Sequence, residues 1–271
     1  FDTLKPDARI FLELNNNPHW WNRFKEDSSL YIEVRKDNQV NVYFEGGSIA
    51  RIHYCSKHKK LQVFTHHKYL GLPAPSKSSL YIECSDFIDS CLDDVLDRIK
   101  THYSQKSSVD GVVPKEKWSE KYIQGTLIVQ SRQYHLDSEF AYNDSETSNR
   151  IDLVRCSDGM VTFVELKRMS DNRMLHETDA TPEVVYQMNR YKQFIEKYSS
   201  QLLEYYQKLY DIKKSLGLPV SESRPICINP IPGLLIFDCW EKNTKGRDEH
   251  RRRLCEILLK EDVKFSVKSD F

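Results

Sequence analysis

Short runs of alternating apolar and polar residues dominate the chain between Leu30 and Tyr69. Four such runs, LYIEV, VNVYF, ARIHY and LQVFT, are separated by turn residues at 36–38, 46–47 and 56–60. Runs of β-branched and aromatic residues between turn signals are typical of strands. The sequence therefore predicts a four-stranded antiparallel meander with one face packed against other elements.

A helix is expected to cover the packed face of this meander. It is predicted over Ser85 to Tyr103, with Ser85 or Asp86 as the N-cap. Apolar residues recur in it at helical spacing, namely Phe87, Ile88, Cys91, Leu92, Val95, Leu96 and Ile99. We predict that residues 1–104 form an N-terminal α+β domain with a recognition role, and that residues 105–115, which contain Gly111 and Pro114, form a linker.

Beyond residue 116 the pattern changes repeatedly between helical and strand periodicity. Helices are predicted over 117–128, 181–216 and 245–260, and strands over 134–142, 150–157, 160–167, 233–240 and 263–267. This alternation predicts that residues 116–271 form an α/β domain, a mixed central sheet flanked by helices.

The longest predicted helix has strong start signals, with Thr181 as N-cap and Pro182 at the first helical position. An apolar stripe follows its whole length, comprising Val184, Met188, Tyr191, Ile195, Tyr198, Leu202, Tyr205, Leu209, Ile212 and Leu216. The stripe packs either within the chain or, as the alternative, in a homodimer through residues 182–216.

The two strands over 150–157 and 160–167 flank Asp158-Gly159, a pair typical of a type I′ hairpin turn. In that register Asp152 faces Glu165, and directly opposed Cβ atoms lie roughly 4.5–5.5 Å apart. Alternation puts Lys167 on the face of Glu165. It puts four apolar residues on the other face, namely Ile151, Leu153, Val164 and Leu166.

Two facing carboxylates repel each other unless something neutralises them. A Mg²⁺ ion takes oxygen ligands from one or two carboxylates and leaves other positions to water and substrate phosphate. Lys167 would then orient or help deprotonate the attacking water, or balance charge on phosphorus. The spacing therefore favours phosphodiester hydrolysis; the alternative is an ordinary surface salt bridge between Lys167 and one of the acids.

This pattern resembles the PD-(D/E)xK nuclease superfamily, which includes many restriction enzymes, DNA-repair nucleases and RecB-type nucleases. Asp152 matches the first acid of the motif, Glu165 and Lys167 match its ExK, and the order of elements over 116–271 is similar. Ile151 stands where the family has its proline. The resemblance implies a restriction-endonuclease-like domain and Mg²⁺-dependent cleavage, with Mn²⁺ as a substitute and DNA as the usual substrate.

The resemblance also implies roles for neighbouring residues. Asp152 and Glu165 would hold the metal with the main-chain carbonyl of Leu166, and Glu120 or Glu139 would add a carboxylate. Gln187 and Tyr191 resemble a motif of RecB-type nucleases, in which Gln187 would support the lysine or a metal-bound water. Phosphate or nucleic-acid contacts are predicted for Tyr191, Arg168, Arg173 and the cluster Arg247, Arg251, Arg252 and Arg253; for the cluster, an ordinary solvated face is the equal alternative.

Composition changes this picture little. Charged residues make up 30% of the chain and the formal net charge is zero, so composition alone does not indicate a nucleic-acid partner. Seven cysteines without paired spacing predict reduced thiols in a cytoplasmic protein. No uncharged apolar run approaches ~20 residues, so no membrane span is expected.

Two features of the first half leave alternatives open. The segment 46–83 is basic and rich in histidine, which favours either phosphate contact or a zinc site formed by His53, Cys55, His58, His66 and His67. The adjacent Trp20 and Trp21 either anchor a small core or form a base-stacking platform.

The sequence thus predicts a metal-dependent deoxyribonuclease in restriction, defence or repair. A non-catalytic module that binds nucleic acid or protein on the same fold, with vestigial acids, is the first alternative. A ribonuclease is the second, and it differs only in substrate.

Overall fold

The structure, a computed structural model, describes residues 3–73, 80–84, 87, 92–103, 113–143, 148–175 and 181–271. Five strands of the first half form an antiparallel sheet in sequence order. The elements of this half are α1 Arg9–Asn15, α2 His19–Glu26, β1 Leu30–Arg35, β2 Gln39–Phe44, β3 Gly47–Cys55, β4 Lys60–His66, β5 Tyr81–Glu83 and α3 Leu92–Tyr103.

The predicted meander is confirmed as β1 to β4, and β5 extends it by one short strand that the sequence pattern did not reveal. The covering helix is confirmed over Leu92–Tyr103. Its predicted N-caps Ser85 and Asp86, the apolar positions Ile88 and Cys91, and residues 104–112 of the linker region lie outside the described residues.

The apolar face of the first sheet packs under its helices. Val34, Val42, Ile52 and Val63 are fully buried there. Trp21 is also fully buried and Trp20 is 7% exposed, in edge-to-face contact with each other. The tryptophans are therefore core residues and do not form a base-stacking platform.

The second half forms a mixed sheet in the strand order β11-β10-β8-β7-β6, with the short β9 beside β8. The strands β6, β7 and β8 are antiparallel, whereas β8, β10 and β11 are parallel. Its elements are α4 Glu120–Gln130, β6 His135–Asn143, β7 Ser148–Ser157, β8 Met160–Arg168, α5 Glu183–Ser215, β9 Cys227–Ile228, β10 Gly233–Phe237, α6 Lys245–Lys260 and β11 Phe265–Lys268. The chain is thus an α+β protein with one antiparallel sheet and one mixed sheet flanked by helices.

The turn between β7 and β8 has the predicted geometry, with φ of 52° at Asp158 and 78° at Gly159. Paired residues run from Ser157 and Met160 to Leu153 and Val164, which is the predicted register. The ladder ends there, one position before Asp152.

One predicted side-chain direction in this hairpin is wrong. Leu153, Val164 and Leu166 pack together, but Ile151 belongs to the core on the other side of the sheet, with its cross-strand partner Phe140. The alternation breaks between Ile151 and Leu153. The neighbouring strand is also irregular there, because Glu139 has a left-handed φ of 51°.

Helix α5 begins at Glu183, with Pro182 in extended conformation as its N-cap. The predicted N-cap Thr181 is therefore one residue too early. Most of the apolar stripe is buried within this single chain, and the half-buried Tyr198, at a non-helical kink, packs against the same core. The surface that suggested a homodimer through residues 182–216 is thus covered by the chain's own sheets.

The two halves share one core. A single cluster includes Trp21 and Val34 from the first half together with Phe163 and Tyr206 from the second. Beside this core, the carboxylate of Glu33 in β1 is buried among groups of the second half. No helix within the described ranges is long and apolar enough to cross a membrane.

Candidate active site

A cavity of about 370 Å³ lies where β6, β7 and β8 meet the first turns of α4 and α5. It brings together eight of the residues predicted from the sequence, seven of them from five different elements and one, Arg173, from the loop after β8. These are Glu120, Glu139, Asp152, Glu165, Lys167, Arg173, Gln187 and Tyr191.

Strand β8 explains why buried charges reach this cavity. Val161 and Phe163 on one face of β8 belong to the core that includes α5. Period-2 alternation continues that face to Glu165 and Lys167, whose side chains are each 2% exposed. Because Val161 and Phe163 are packed in the core, Glu165 and Lys167 on the same face of β8 are held at the cavity.

Lys167 is held between the two acids. Its Nζ donates to Oε1 of Glu165 and, at 3.0 Å, to the main-chain carbonyl of Leu166. Oδ2 of Asp152 lies 3.8 Å away, within ion-pair distance. One ammonium therefore serves two carboxylates.

Asp152 is fixed by the end of the β7–β8 ladder. Its Oδ2 accepts a hydrogen bond from the main-chain N–H of Leu166 at 2.9 Å, and its carbonyl accepts one from Gln124 at 2.7 Å. Burial, and next the charge of Glu165, raise the pKa of Asp152 to about 7. The site therefore retains a proton near neutral pH, because it has too little positive charge.

Helix α5 orients the second acid. Nε2 of Gln187 donates to Oε1 of Glu165 and to the hydroxyl of Tyr191, both at 2.7 Å. The Tyr191 hydroxyl in turn donates to the carbonyl of Arg150 on β7. Gln187 and Tyr191, four residues apart on α5, thus connect this helix by hydrogen bonds to β8 and β7.

The donor set suits a hard divalent cation. Oε2 of Glu165 is buried and has no hydrogen-bond partner among the residues that the structure describes, and carboxylate and carbonyl oxygens are the ligands that Mg²⁺ prefers. Within the described ranges there is no group of three or more His, Cys, Asp or Glu side chains arranged for a metal ion. This finding leaves the zinc alternative without support, and it covers the cavity as well. There the available oxygens are the carboxylates of Asp152, Glu165, Glu120 and Glu139, beside the Leu166 carbonyl that accepts from Lys167.

The two additional glutamates line the same cavity in different states. Burial, and among the charges Asp152, raise the pKa of Glu120 despite the opposing effect of Lys167. Glu139 forms an ion pair with Arg150 at 2.9 Å. Burial and the charge of Asp152 therefore disfavour the ionised form of Glu120, whereas Glu139 has Arg150 as its counter-ion.

The predicted arginines are divided between the cavity and other surfaces. Arg173 lines the cavity and forms two hydrogen bonds to Asp171 through Nε and Nη2. Arg168 lies on the opposite face of β8, where Nη2 donates to the carbonyl of Glu116 at 2.6 Å. It is therefore not placed to meet a substrate at the cavity.

Three of the four arginines of α6 are paired with acids, and the first of them, Arg247, contacts Glu116 at 2.8 Å. Arg251 contacts Asp238 and Asp248, and Arg252 contacts Glu249 and Glu256. Neither residue lines the cavity. This pairing is typical of an ordinary solvated helix face.

Five further residues line the cavity that the sequence analysis did not name for it. They are Lys121, Gln124, Ser148, Arg150 and Arg190. Spacing offered a signal for two of them, because Gln124 lies one turn after Glu120 and Arg190 nearly one turn after Gln187. The others depend on tertiary contacts that local periodicity does not encode.

Searches of protein-family models, of curated proteins and of solved structures found no match to this chain.

Proposed function

We propose that this chain is a Mg²⁺-dependent nuclease of the PD-(D/E)xK type that hydrolyses phosphodiester bonds in DNA. One observation carries the proposal: two carboxylates, Asp152 and Glu165, share the ammonium of Lys167, and one buried oxygen of Glu165 has no partner in the described part of the chain. An arrangement with surplus buried negative charge needs a cation. Apart from the short β9, the element order of residues 116–271 is a helix, three antiparallel strands, a helix and two parallel strands separated by a helix. This order supports the restriction-endonuclease-like assignment.

In this proposal the residues divide the chemistry among them. Asp152, Glu165 and the Leu166 carbonyl would hold Mg²⁺, which supplies Lewis-acid stabilisation of phosphate charge and a more acidic water. An ammonium has three donors, and Lys167 uses two of them on Glu165 and Leu166. The third remains to position the attacking water or to stabilise charge on phosphorus.

The remaining residues hold the acids in place. Gln187 fixes the orientation of the Glu165 carboxylate from α5, and the N–H of Leu166 fixes that of Asp152. Because the pKa of Asp152 is raised to about 7, cation binding near neutral pH would displace a proton from it. Affinity for the metal should therefore fall as the pH falls below about 7.

The cationic side chains around the cavity favour a polyanionic substrate. Lys121, Arg173 and Arg190 line it together with the acids. Within the described residues, Lys121 and Arg190 form no ion pair with an acid. Both are exposed, so they are available to phosphates, which is how most protein contacts with a nucleic-acid backbone are made.

The test is cleavage of supercoiled plasmid, linear duplex DNA, single-stranded DNA and RNA in Mg²⁺, Mn²⁺ or EDTA. We expect metal-dependent cleavage by the wild type, and a loss of about 10²–10³-fold in rate for Glu165→Gln and for Lys167→Met, because each removes a group placed at the reacting phosphate. Glu249→Gln, on the exposed face of α6, is the matched control and should cleave normally.

The outcomes separate the proposal from its alternatives. Cleavage of RNA alone would make the protein a ribonuclease with the same site. Binding of DNA without cleavage, unchanged in Glu165→Gln and indifferent to Mn²⁺, would make it a non-catalytic binding module. Full cleavage by a folded Lys167→Met variant would refute the site assignment.

A further inference from the structure

A second cavity lies between the two sheets and adjoins the candidate active site. Its volume is about 280 Å³, and Glu139 lines both cavities. We call it the inter-sheet pocket, formed by Arg35, Asn41, Tyr43 and Arg51 of the first sheet with Phe140 of β6 and Tyr205 of α5. Anything bound there would lie beside the Asp152 and Glu165 site.

The guanidinium of one arginine in this pocket already forms hydrogen bonds and an ion pair within the protein. The guanidinium of Arg35 donates to the carbonyl of Ser138 at 2.6 Å and to the hydroxyl of Tyr43. It also forms an ion pair with Asp137 at 3.3 Å. Arg35 therefore connects the two sheets at one side of the pocket, and few of its donors are left for a ligand.

Two other polar groups remain without a partner. Asn41 is 9% exposed, and its Oδ1 is buried without a hydrogen bond to the described part of the chain. Nε of Arg51 is in the same state, and the two residues are direct partners across β2 and β3. An unused acceptor and an unused donor thus belong to two directly opposed residues, which costs free energy unless something binds them.

The rest of the lining combines three aromatic side chains with charged ones, namely Lys36, Asp37, Asp137 and Glu139. Tyr43, Phe140 and Tyr205 are each less than a tenth exposed. The guanidinium of Arg51 stacks on Tyr81 with its central carbon 3.5 Å from the ring centroid, which holds it in a fixed plane. Small-molecule sites combine apolar walls with fixed polar groups. This lining has aromatic walls and many polar groups, so it suits a planar ring that carries its own donors and acceptors.

We propose that the inter-sheet pocket binds the base of a nucleotide adjoining the scissile phosphate, so that the protein acts on single-stranded nucleic acid. The choice of strand rests on the proposed nuclease function. A base inside the pocket cannot remain stacked and paired in a duplex, and removing it from the stack is costly except in single strands or damaged sites. Stacking against aromatic rings and contact with arginine are how proteins hold unpaired bases.

The first experiment measures binding independently of cleavage. The four 2′-deoxynucleoside 5′-monophosphates are titrated calorimetrically into the full chain in EDTA. We expect binding of at least one nucleotide, weakened at least tenfold by Asn41→Leu and by Arg51→Met. Gln62→Leu, which changes an amide on the same sheet outside the pocket, should bind as the wild type does. Circular dichroism checks each fold, and Arg51→Met decides the matter if Asn41→Leu does not fold.

The second experiment locates the base. Single-stranded 12-nucleotide DNAs, each with one abasic position, are bound to Glu165→Gln and measured by fluorescence anisotropy. We expect one position to lose about tenfold in affinity, and this dependence to vanish when Asn41→Leu is added. A flat abasic profile together with no nucleotide binding would overturn the pocket, even if the protein cleaves DNA.

The two proposals fail in different ways. Nucleotide binding that depends on Asn41, with no metal-dependent cleavage of any substrate, would support the pocket and refute the nuclease. Efficient cleavage of duplex DNA that is as fast as cleavage of single strands, and insensitive to Asn41→Leu, would support the nuclease and refute the pocket.

Discussion

Two places in the molecule bury a glutamate beside a lysine, and they satisfy the carboxylates to different degrees. Between the sheets, Oε1 of Glu33 lies 2.6 Å from Nε2 of His135 and Oε2 lies 3.0 Å from Nζ of Lys213. In the candidate active-site cavity, Oε1 of Glu165 has partners, whereas Oε2 has none among the described residues. There a single lysine serves a second acid as well.

The pKa values of one carboxyl group in each site move in opposite directions. Burial alone would raise the pKa of Glu33, but Lys213 and His135 hold it well below its usual range. Burial and Glu165 raise the pKa of Asp152 to about 7. Both oxygens of Glu33 have partners, which indicates a structural role, whereas a divalent cation would neutralise the carboxylates around Lys167.

Lys213→Met should have the largest effect on stability, because it leaves the buried carboxylate of Glu33 with His135 alone. Removing one partner of a buried ion pair lowers the free energy of unfolding by about 3–5 kcal/mol. Urea denaturation measures the change, and saturating Mg²⁺ should not restore the loss.

Arg252→Met on the exposed face of α6 is the control, and its unfolding midpoint should stay at the wild-type value. A Lys213→Met variant that unfolds with the wild-type midpoint would contradict the structural role of the inter-sheet network. Rescue by Mg²⁺ would show instead that this site, too, binds a cation.

Local sequence patterns predicted most of the fold because they depend on neighbours along the chain. The Asp158-Gly159 turn fixed the hairpin register, and alternation from Phe163 brought Glu165 and Lys167 to one face. The break at Glu139 was not predictable, because a left-handed residue inside a strand leaves no trace in hydrophobic periodicity. That break is why the direction of Ile151 was wrong.

Charged residues were harder to place than apolar ones. Arg168 and Arg173 occur in one polar segment, but only Arg173 lines the cavity. Arg251 and Arg252 look like a basic patch in sequence, yet each has acids within reach on the folded surface. Composition records how many charges a segment has, whereas their partners come from tertiary structure.

Asp152→Asn should change how the stability of the protein depends on pH, and so test the difference between the two sites. The raised pKa of Asp152, about 7 against an ordinary 3.8, means that the folded protein keeps a proton that the unfolded chain releases. Stability from this group is therefore complete below about pH 4 and is lost as the pH rises through 7. The asparagine cannot ionise, so in EDTA the variant should exceed the wild type by about 2 kcal/mol at pH 8 and match it at low pH.

Unfolding measured in urea from pH 4 to 8 checks this expectation, with Asp211→Asn as the control. Asp211 is half exposed on α5 and paired with Arg224, so its variant should follow the wild-type pH curve. Saturating Mg²⁺ should stabilise the wild type and reverse the order at pH 8. Parallel curves for wild type and Asp152→Asn would mean that the two acids at the site are already neutralised.

Gln187→Leu should have the smallest effect, because it leaves all the charges in place. The variant loses the hydrogen bond that orients Glu165 and the one to Tyr191. Loss of a residue that supports a ligand typically costs 10–100-fold in activity or metal affinity, so we expect cleavage to slow by about tenfold or more and the Mn²⁺ affinity to fall with it. Gln193→Leu, exposed on the same helix, is the matched control. If Gln187→Leu lowers stability but changes neither cleavage nor Mn²⁺ affinity, the glutamine packs α5 against β8 and does not position the acid.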